Sequence, residues 1–421
     1  MCCLETTKAR LAAEKASLEA RYAAFQTRGL SLNMARGIPA KEQLDLSLDM
    51  LTCLQTVEDC QIDGIDARNY GGVDGLPSAK KLFGELLDVD PDCVIVGGNS
   101  SLNMMSDMIM RSKLFGIGGC KPWVEQGTVK FLCPVPGYDR HFLICEQCGI
   151  EMIPLPVTST GPDMDLVREL VTDPAVKGMW CIPKYSNPSG ITYSDDTVRA
   201  LASLKPAAPD FRIYWDNAYC IHDVFCEDKL LNIVTEAKKA GNENLVFEFA
   251  STSKLCFPGA GVACMVAGKG DIDYIKKLIS AQTIGPDKMN QLRHIRYFKD
   301  VAGLRARAAA HGKLIRPKFE AVLKTLDAEL SGLDFVDWSK PNGGYFISLN
   351  VMEQTAKRTV ELAKNAGVTL TPAGATWPYR KDPADKNIRI APSYPSLESI
   401  TLAAELLCVC VKLAAIEKLG L

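Results

Sequence analysis

The chain lacks the features that mark most non-globular classes. Nowhere in its 421 residues does an uncharged apolar run reach the roughly 20 residues of a membrane-spanning helix. A membrane span is therefore not expected. An excess of one charge sign is missing too: 48 basic residues against 50 acidic ones leave a formal charge of −2. That balance excludes a broad electrostatic footprint for nucleic acid, so any charged ligand has to be gripped locally. The first residues mix Lys8, Arg10 and Lys15 with Glu5, Glu14 and Glu19, and they have neither the apolar stretch nor the small-residue cleavage site of a signal peptide. A cytoplasmic protein is the expectation. Cys2 and Cys3 could be acylated, but without a glycine after Met1 or a basic cluster the second membrane signal is missing.

Sixteen cysteines are present, yet no CxxC…CxxC frame organises them. Cys145 and Cys148 form a single CEQC, and neither Cys53/Cys60 nor Cys408/Cys410 supplies the second pair that a structural zinc would need. No metal is expected, and the thiols read as isolated groups of a reducing compartment. Internal repeats, low-complexity tracts and linkers are also absent.

What remains is an ordinary globular composition, 47% apolar and 23% charged, in a chain longer than one hydrophobic core usually organises. Leu4, Leu11, Leu18, Tyr22 and Phe25 share one face at helical spacing, predicting an amphipathic N-terminal helix that ends near Arg28-Gly29. Short apolar segments at 94–96, 129–133, 151–155, 178–182, 211–215, 245–249 and 261–267 read as seven strands. Helical stretches at 102–115, 138–148, 164–171, 195–204 and 230–240 lie between most of them, the alternation of a largely parallel sheet covered by helices. Beyond Asp300, helices at 304–330, 355–366 and 397–413 with strands at 345–349 and 387–391 predict a smaller α+β unit. The expected organisation is 1–60 as an N-terminal helix and segment joining the small domain, 61–300 as a large α/β domain, and 301–421 as the small C-terminal domain.

In open α/β sheets, ligands bind beyond the carboxyl ends of the strands. Three of the expected strands run into suggestive loops: Pro183-Lys184-Tyr185-Ser186-Asn187-Pro188-Ser189-Gly190, Asp216-Asn217-Ala218-Tyr219, and Ser251-Thr252-Ser253-Lys254. Each alone has an ordinary reading, as a turn, a helix cap or a solvated lysine. Together, Asn187, Asp216, Tyr219 and Lys254 in this order resemble the fold-type I pyridoxal-phosphate-dependent aminotransferases of class I/II. Finer matches are to the MocR-like subgroup of bacterial aspartate aminotransferases. They comprise Arg36-Gly37-Ile38-Pro39 with Gln43-Leu44-Asp45-Leu46-Ser47, Asn69-Tyr70-Gly71-Gly72, Gly98-Asn99-Ser100-Ser101-Leu102 and Gly285-Pro286-Asp287-Lys288-Met289-Asn290-Gln291-Leu292-Arg293-His294. The resemblance runs from about Leu32 to the C-terminus, with no helix-turn-helix domain ahead of it.

The resemblance implies a large α/β domain with a mostly parallel seven-stranded sheet, a smaller α+β domain, and pyridoxal 5′-phosphate as cofactor. It implies that Lys254 carries the cofactor as a Schiff base and then shuttles the substrate proton, two tasks that suit an amine. By the same resemblance Asp216 pairs with the pyridine nitrogen and sustains the electron sink. Asn187 and Tyr219 meet the phenolic oxygen, and Tyr138 stacks on the ring. Ser100 and Ser101, at a strand-to-helix turn where amides favour an anion, are first choices for the phosphate, with Ser251 and Ser253 nearby and Tyr70 reaching in from the other subunit of a homodimer. Many relatives place a phosphate-binding arginine just after the lysine; here Phe257-Pro258-Gly259-Ala260-Gly261-Val262 follows instead.

For substrate, Arg389 resembles the arginine that forks onto the α-carboxylate, where a planar guanidinium supplies paired, charge-assisted hydrogen bonds. Asn187, Gly37 and Arg36 complete the implied substrate set. Arg36, Lys288 and Arg293 are the candidates for a second, side-chain carboxylate. Aspartate and 2-oxoglutarate are the implied pair. An aromatic, kynurenine or 2-aminoadipate aminotransferase, or a C–S lyase, keeps the same lysine; a non-catalytic sensing module is the reading from another class.

Overall fold

The computed structural model describes the backbone of residues 2–420 and the side chains of residues 11–420. Seven strands stand where the apolar segments predict them, in the spatial order Val94–Val96, Ala263–Val266, Val246–Ser251, Arg212–Asp216, Val176–Cys181, Lys130–Val135 and Glu151–Thr158. An eighth, Gly161–Pro162, pairs antiparallel at the far edge. It is two residues long and follows a tight reversal, too short to leave an apolar pattern, so the seven-stranded expectation becomes eight. Apart from that edge strand, only Ala263–Val266 runs against the rest.

Both faces of the sheet are buried, and residue alternation decides which cluster each side chain joins. Phe131, Tyr214, Phe247 and Phe249 contribute to one apolar cluster, while Leu132, Ile213, Trp215 and Val246 contribute to the other. Deleting one of these fully buried rings, as in Phe249→Ala, costs ~3–5 kcal/mol.

Three further strands, Asp337–Trp338, Ile347–Asn350 and Asn387–Ile390, form a small antiparallel sheet. It sits with the long helices Val301–Leu330 and Leu397–Lys418 around a third cluster. The N-terminal helix, Cys2–Gln26, returns to this cluster through Leu18 and Phe25. Leu4 of its expected apolar face lies outside the described side chains. Arg21 and Lys412 both reach Glu329, at 2.9 and 2.8 Å, holding its carboxyl down to about 2, with the Arg21 hydrogen bond the leading cause. Leu32–Asn33 then adds a parallel pairing to Val368–Thr369.

Leu397–Lys418 is long and apolar enough to cross a membrane, with a mean hydropathy of 2.0 in its most apolar window. Yet 72% of that window is buried inside the protein, including Leu406, Leu407, Cys408 and Val409. It is a core helix; Glu405 and Lys412 interrupt what would otherwise be an uncharged run.

Candidate active site

The parallel strands deliver their side chains to one end of the sheet. Asp216 is the last residue of Arg212–Asp216, Ser251 is the last of Val246–Ser251 with Lys254 just beyond, and Asn187 lies in the loop after Val176–Cys181. All border a cavity of about 490 Å³, closed on the other side by Arg36, Gly37, Phe346, Thr371 and Arg389. The cavity thus lies between the large sheet and the small one.

Lys254 is half-buried, and desolvation of its amine lowers it below the ordinary lysine range, with Asp216 opposing that shift. Its Nζ lies 5.0 Å from the centroid of the Tyr219 ring and 5.8 Å from that of Tyr345. Gln43 fixes the second ring by donating from Nε2 to the Tyr345 hydroxyl at 2.9 Å. Asp216 is 4% exposed. Its Oδ2 is 3.1 Å from Nε2 of His141, whereas Oδ1 is buried without a partner. An unpaired carboxylate oxygen in a cavity wall calls for a donor from a bound molecule.

Serines crowd another part of the cavity. Ser100 accepts from the Asn103 amide at 3.2 Å and so caps the Ser101–Phe115 helix, whose first turn borders the cavity. Ser251 donates to Ser253 at 3.1 Å, and Ser253 to the Asn99 carbonyl at 3.3 Å. Hydroxyls and helix N-terminal amides together suit a phosphate. Tyr138, the residue before the Asp139–Gln147 helix, also faces the cavity, and its ring meets His141 edge-on at 5.0 Å. Burial pushes its phenol up to about 12.

Arg389 is 7% exposed. Its Nη1 donates to Asn187 Oδ1 at 3.2 Å and to Asp139 at 3.1 Å, its Nη2 to Thr371 at 3.1 Å, and its guanidinium lies 4.8 Å from the Phe346 ring centroid. Nε is buried and unpaired. Gly37 stands against the same ring: a Cβ there would come within 2.5 Å of it, so only glycine leaves the ring beside the arginine.

Two expected candidates for a side-chain carboxylate are elsewhere. Lys288 donates to the backbone carbonyls of Asn69 and Gly71, and Arg293 bonds Asn290 on its own helix; neither borders the cavity. Among the described residues the cations that do are Arg36, Arg140, Lys254 and Arg389. Tyr70 is 83% exposed and outside its own chain's cavity. No cluster of metal-ligating side chains occurs among the described residues.

Sequence reasoning missed His141, Arg140, Asp139 and Thr371. His141 sits within an amphipathic helix and reads there as core; its role as partner of Asp216 needs the helix and strand side by side. Its neighbour Tyr138 shares that helix face at i, i+3 spacing, which is the one signal that could have drawn attention to it.

A protein-family model described as aspartate amino-transferase matches residues 6–420. A putative aminotransferase of Mycolicibacterium smegmatis is 48% identical over 94% of this chain and 94% of its own. An aspartate aminotransferase of Corynebacterium glutamicum is 43% identical over 95% of this chain and 93% of its own. The crystal structure of an aspartate transaminase from Corynebacterium glutamicum superimposes with a TM-score of 0.95, covering 97% of both chains at 42% identity. The unpaired Asp216 oxygen, the buried Lys254 amine and the serine-lined helix start fit the three faces of pyridoxal 5′-phosphate: ring nitrogen, aldehyde and phosphate. The chain belongs to the aspartate amino-transferase family, and pyridoxal 5′-phosphate is its cofactor.

Proposed function

We propose that this protein transfers the amino group of L-aspartate to 2-oxoglutarate. The observation that carries the reading is the shared cavity of the Lys254 amine, lowered by burial, and the unpaired Oδ1 of Asp216. Bound there, pyridoxal 5′-phosphate supplies an aldehyde for the substrate amine and a ring that accepts the electrons released at Cα. Lys254 is the amine that would hold the aldehyde and would take and return the Cα proton; a neutral amine is the form that can do so. Asp216 keeps a proton on the ring nitrogen through Oδ1 while His141 secures Oδ2. Asn187 and Tyr219 take the phenolic oxygen, Tyr138 covers the ring, and Ser100, Ser101, Ser251 and Ser253 receive the phosphate.

Arg389 binds the α-carboxylate, its plane set by Asn187, Thr371 and Phe346. Arg36 and Arg140 stand for the second carboxylate, since they are the cavity cations left once Lys254 and Arg389 are assigned. The name of the Corynebacterium glutamicum relative supports aspartate as donor. Tyr70, exposed on this chain, serves the cavity of a second copy in a homodimer. Residues 1–60 and 301–421 act as one small domain beside 61–300, supported by the cluster that Leu18, Phe25 and the long helices share. The absence of disulfides among the described cysteines supports a cytoplasmic setting.

The deciding experiment incubates purified holoenzyme with L-aspartate and 2-oxoglutarate and quantifies oxaloacetate and glutamate. Faster transfer from an aromatic amino acid or 2-aminoadipate would overturn the donor, and no transfer from any amino acid would overturn the reaction.

A further inference from the structure

The helix Lys288–Phe298 braces two loops at once. His294 meets Thr252 Oγ1 at 2.9 Å and Asn290 donates to the Gly261 carbonyl at 2.8 Å, so this part of the helix steadies the loop that carries Lys254. At its start, Lys288 donates to the carbonyls of Asn69 and Gly71, at 2.7 and 2.6 Å, on either side of Tyr70. Gln291, at i, i+3 from Lys288, accepts from the Leu76 amide at 2.9 Å and donates to the Val96 carbonyl at 3.1 Å. Gly285 closes the contact: a Cβ there would come within 2.5 Å of the Gly71 oxygen.

Lys288 is only 4% exposed, yet its ammonium is spent on two backbone carbonyls. A lysine buried for this purpose holds a particular backbone shape. Gly71 and Gly72, at φ +103° and +71°, give the loop conformations that a side chain resists. The residue held between the two carbonyls, Tyr70, is the one that is 83% exposed. The arrangement fixes the loop while leaving its tyrosine projecting outward.

We propose that Lys288 is a positioning residue acting in trans: it holds the 69–72 loop so that Tyr70 reaches the cofactor phosphate in the second copy. This rests on the dimer proposed above. Loss of Lys288 frees the two carbonyls, and the cost appears as weaker cofactor binding in the neighbouring cavity and not in its own.

Mixed dimers separate these cases. In the first, one chain carries Lys254→Ala with Lys288→Met and the other is wild type; the single intact lysine site is served by the altered loop. In the second, Lys254→Ala is on one chain and Lys288→Met on the other; the intact site is served by an unaltered loop. Pyridoxal 5′-phosphate is titrated into each apo dimer, and cofactor fixed to Lys254 by borohydride reduction is counted. The first dimer is expected to bind about tenfold more weakly than the second, the effect of one hydrogen bond to a charged group. Equal affinities, or the weaker binding in the second dimer, overturn the proposal and leave the aminotransferase reading standing. If Lys288→Met chains do not fold, Lys288→Gln, which keeps a donor of reduced reach, enters the same pair with the same two outcomes. A holoenzyme that sediments only as a monomer would overturn the dimer itself.

Discussion

His141 Nε2 lies 3.1 Å from Asp216 Oδ2, and its ring is stacked on Trp180 with centroids 4.3 Å apart and planes 9° from parallel. The stack fixes the imidazole plane, and the carboxylate makes Nε2 the donor. The histidine therefore holds Oδ2 and leaves the other oxygen, Oδ1, unpaired in the cavity wall. His141→Phe keeps the stack and removes the donor. A fall in kcat of roughly 10- to 100-fold is expected, from about 1.5–3 kcal/mol for a hydrogen bond to a charged group. Asp216→Asn is expected to retain cofactor and lose most of kcat, since an amide does not favour a protonated ring nitrogen. Wild-type kinetics in both variants would reduce the pair to a structural contact.

Lys254→Ala is expected to abolish transfer and covalent cofactor retention while leaving a folded protein, because the amine stands in a cavity wall. Burial lowers the amine's pKa, so below the ordinary lysine range folding works against its charge. The apo variant is accordingly expected to melt no lower than apo wild type at pH 7, with any advantage fading as pH approaches the lysine range near 10.5. Calorimetry on the two apo proteins across that range is the check. Near-normal turnover in Lys254→Ala would remove the central assignment.

Arg389→Lys preserves charge and loses the planar fork. It is expected to raise KM for amino acids and oxoacids alike by a factor equivalent to ~1.5–3 kcal/mol. Every substrate bears the α-carboxylate, so the penalty should be uniform across aspartate, glutamate, alanine and an aromatic amino acid. A penalty confined to the dicarboxylates would instead make Arg389 the side-chain reader.

Glu248 offers a test of stability. It is buried in the strand beside Asp216 and accepts from Asn217 Nδ2 at 2.8 Å, and burial pushes its carboxyl up to about 7. A raised carboxyl pKa means the folded state holds the proton more tightly than the unfolded chain. The destabilisation is therefore absent below about 4.5 and complete above about 7. Glu248→Gln keeps an acceptor for Asn217 without the charge. It should gain on the order of 3 kcal/mol over wild type at pH 8 and nothing at pH 4.5. An equal difference at both pH values would show that the carboxyl does not titrate between them.

Much of this molecule is fixed along the chain itself. Strand positions follow from apolar segments such as 211–215 and 245–249, whose alternating side chains fill both faces of one sheet. The order Asn187, Asp216, Tyr219, Lys254 places four reactive groups at strand ends by local connectivity alone, and the family's motifs sit on the same segments. Periodicity needs only neighbours in sequence, so it is legible there. The short Gly161–Pro162 strand is not, because two residues carry no period.

What a side chain faces across the fold is set by distant segments packing together. Arg389 and Asn187 meet across two sheets, and His141 reaches Asp216 only because a helix lies against the strand. Lys288 has the charge to bind a carboxylate, and its sequence position allows it; packing of its helix against the 69–76 segment commits it to two carbonyls. The sequence by itself determined the seven apolar strands of the large sheet and the family, and singled out Lys254 as the candidate lysine. Tertiary structure alone decided which cations face the cavity and which are spent on backbone, because a long flexible side chain takes its partner from whatever the fold brings within about 3 Å.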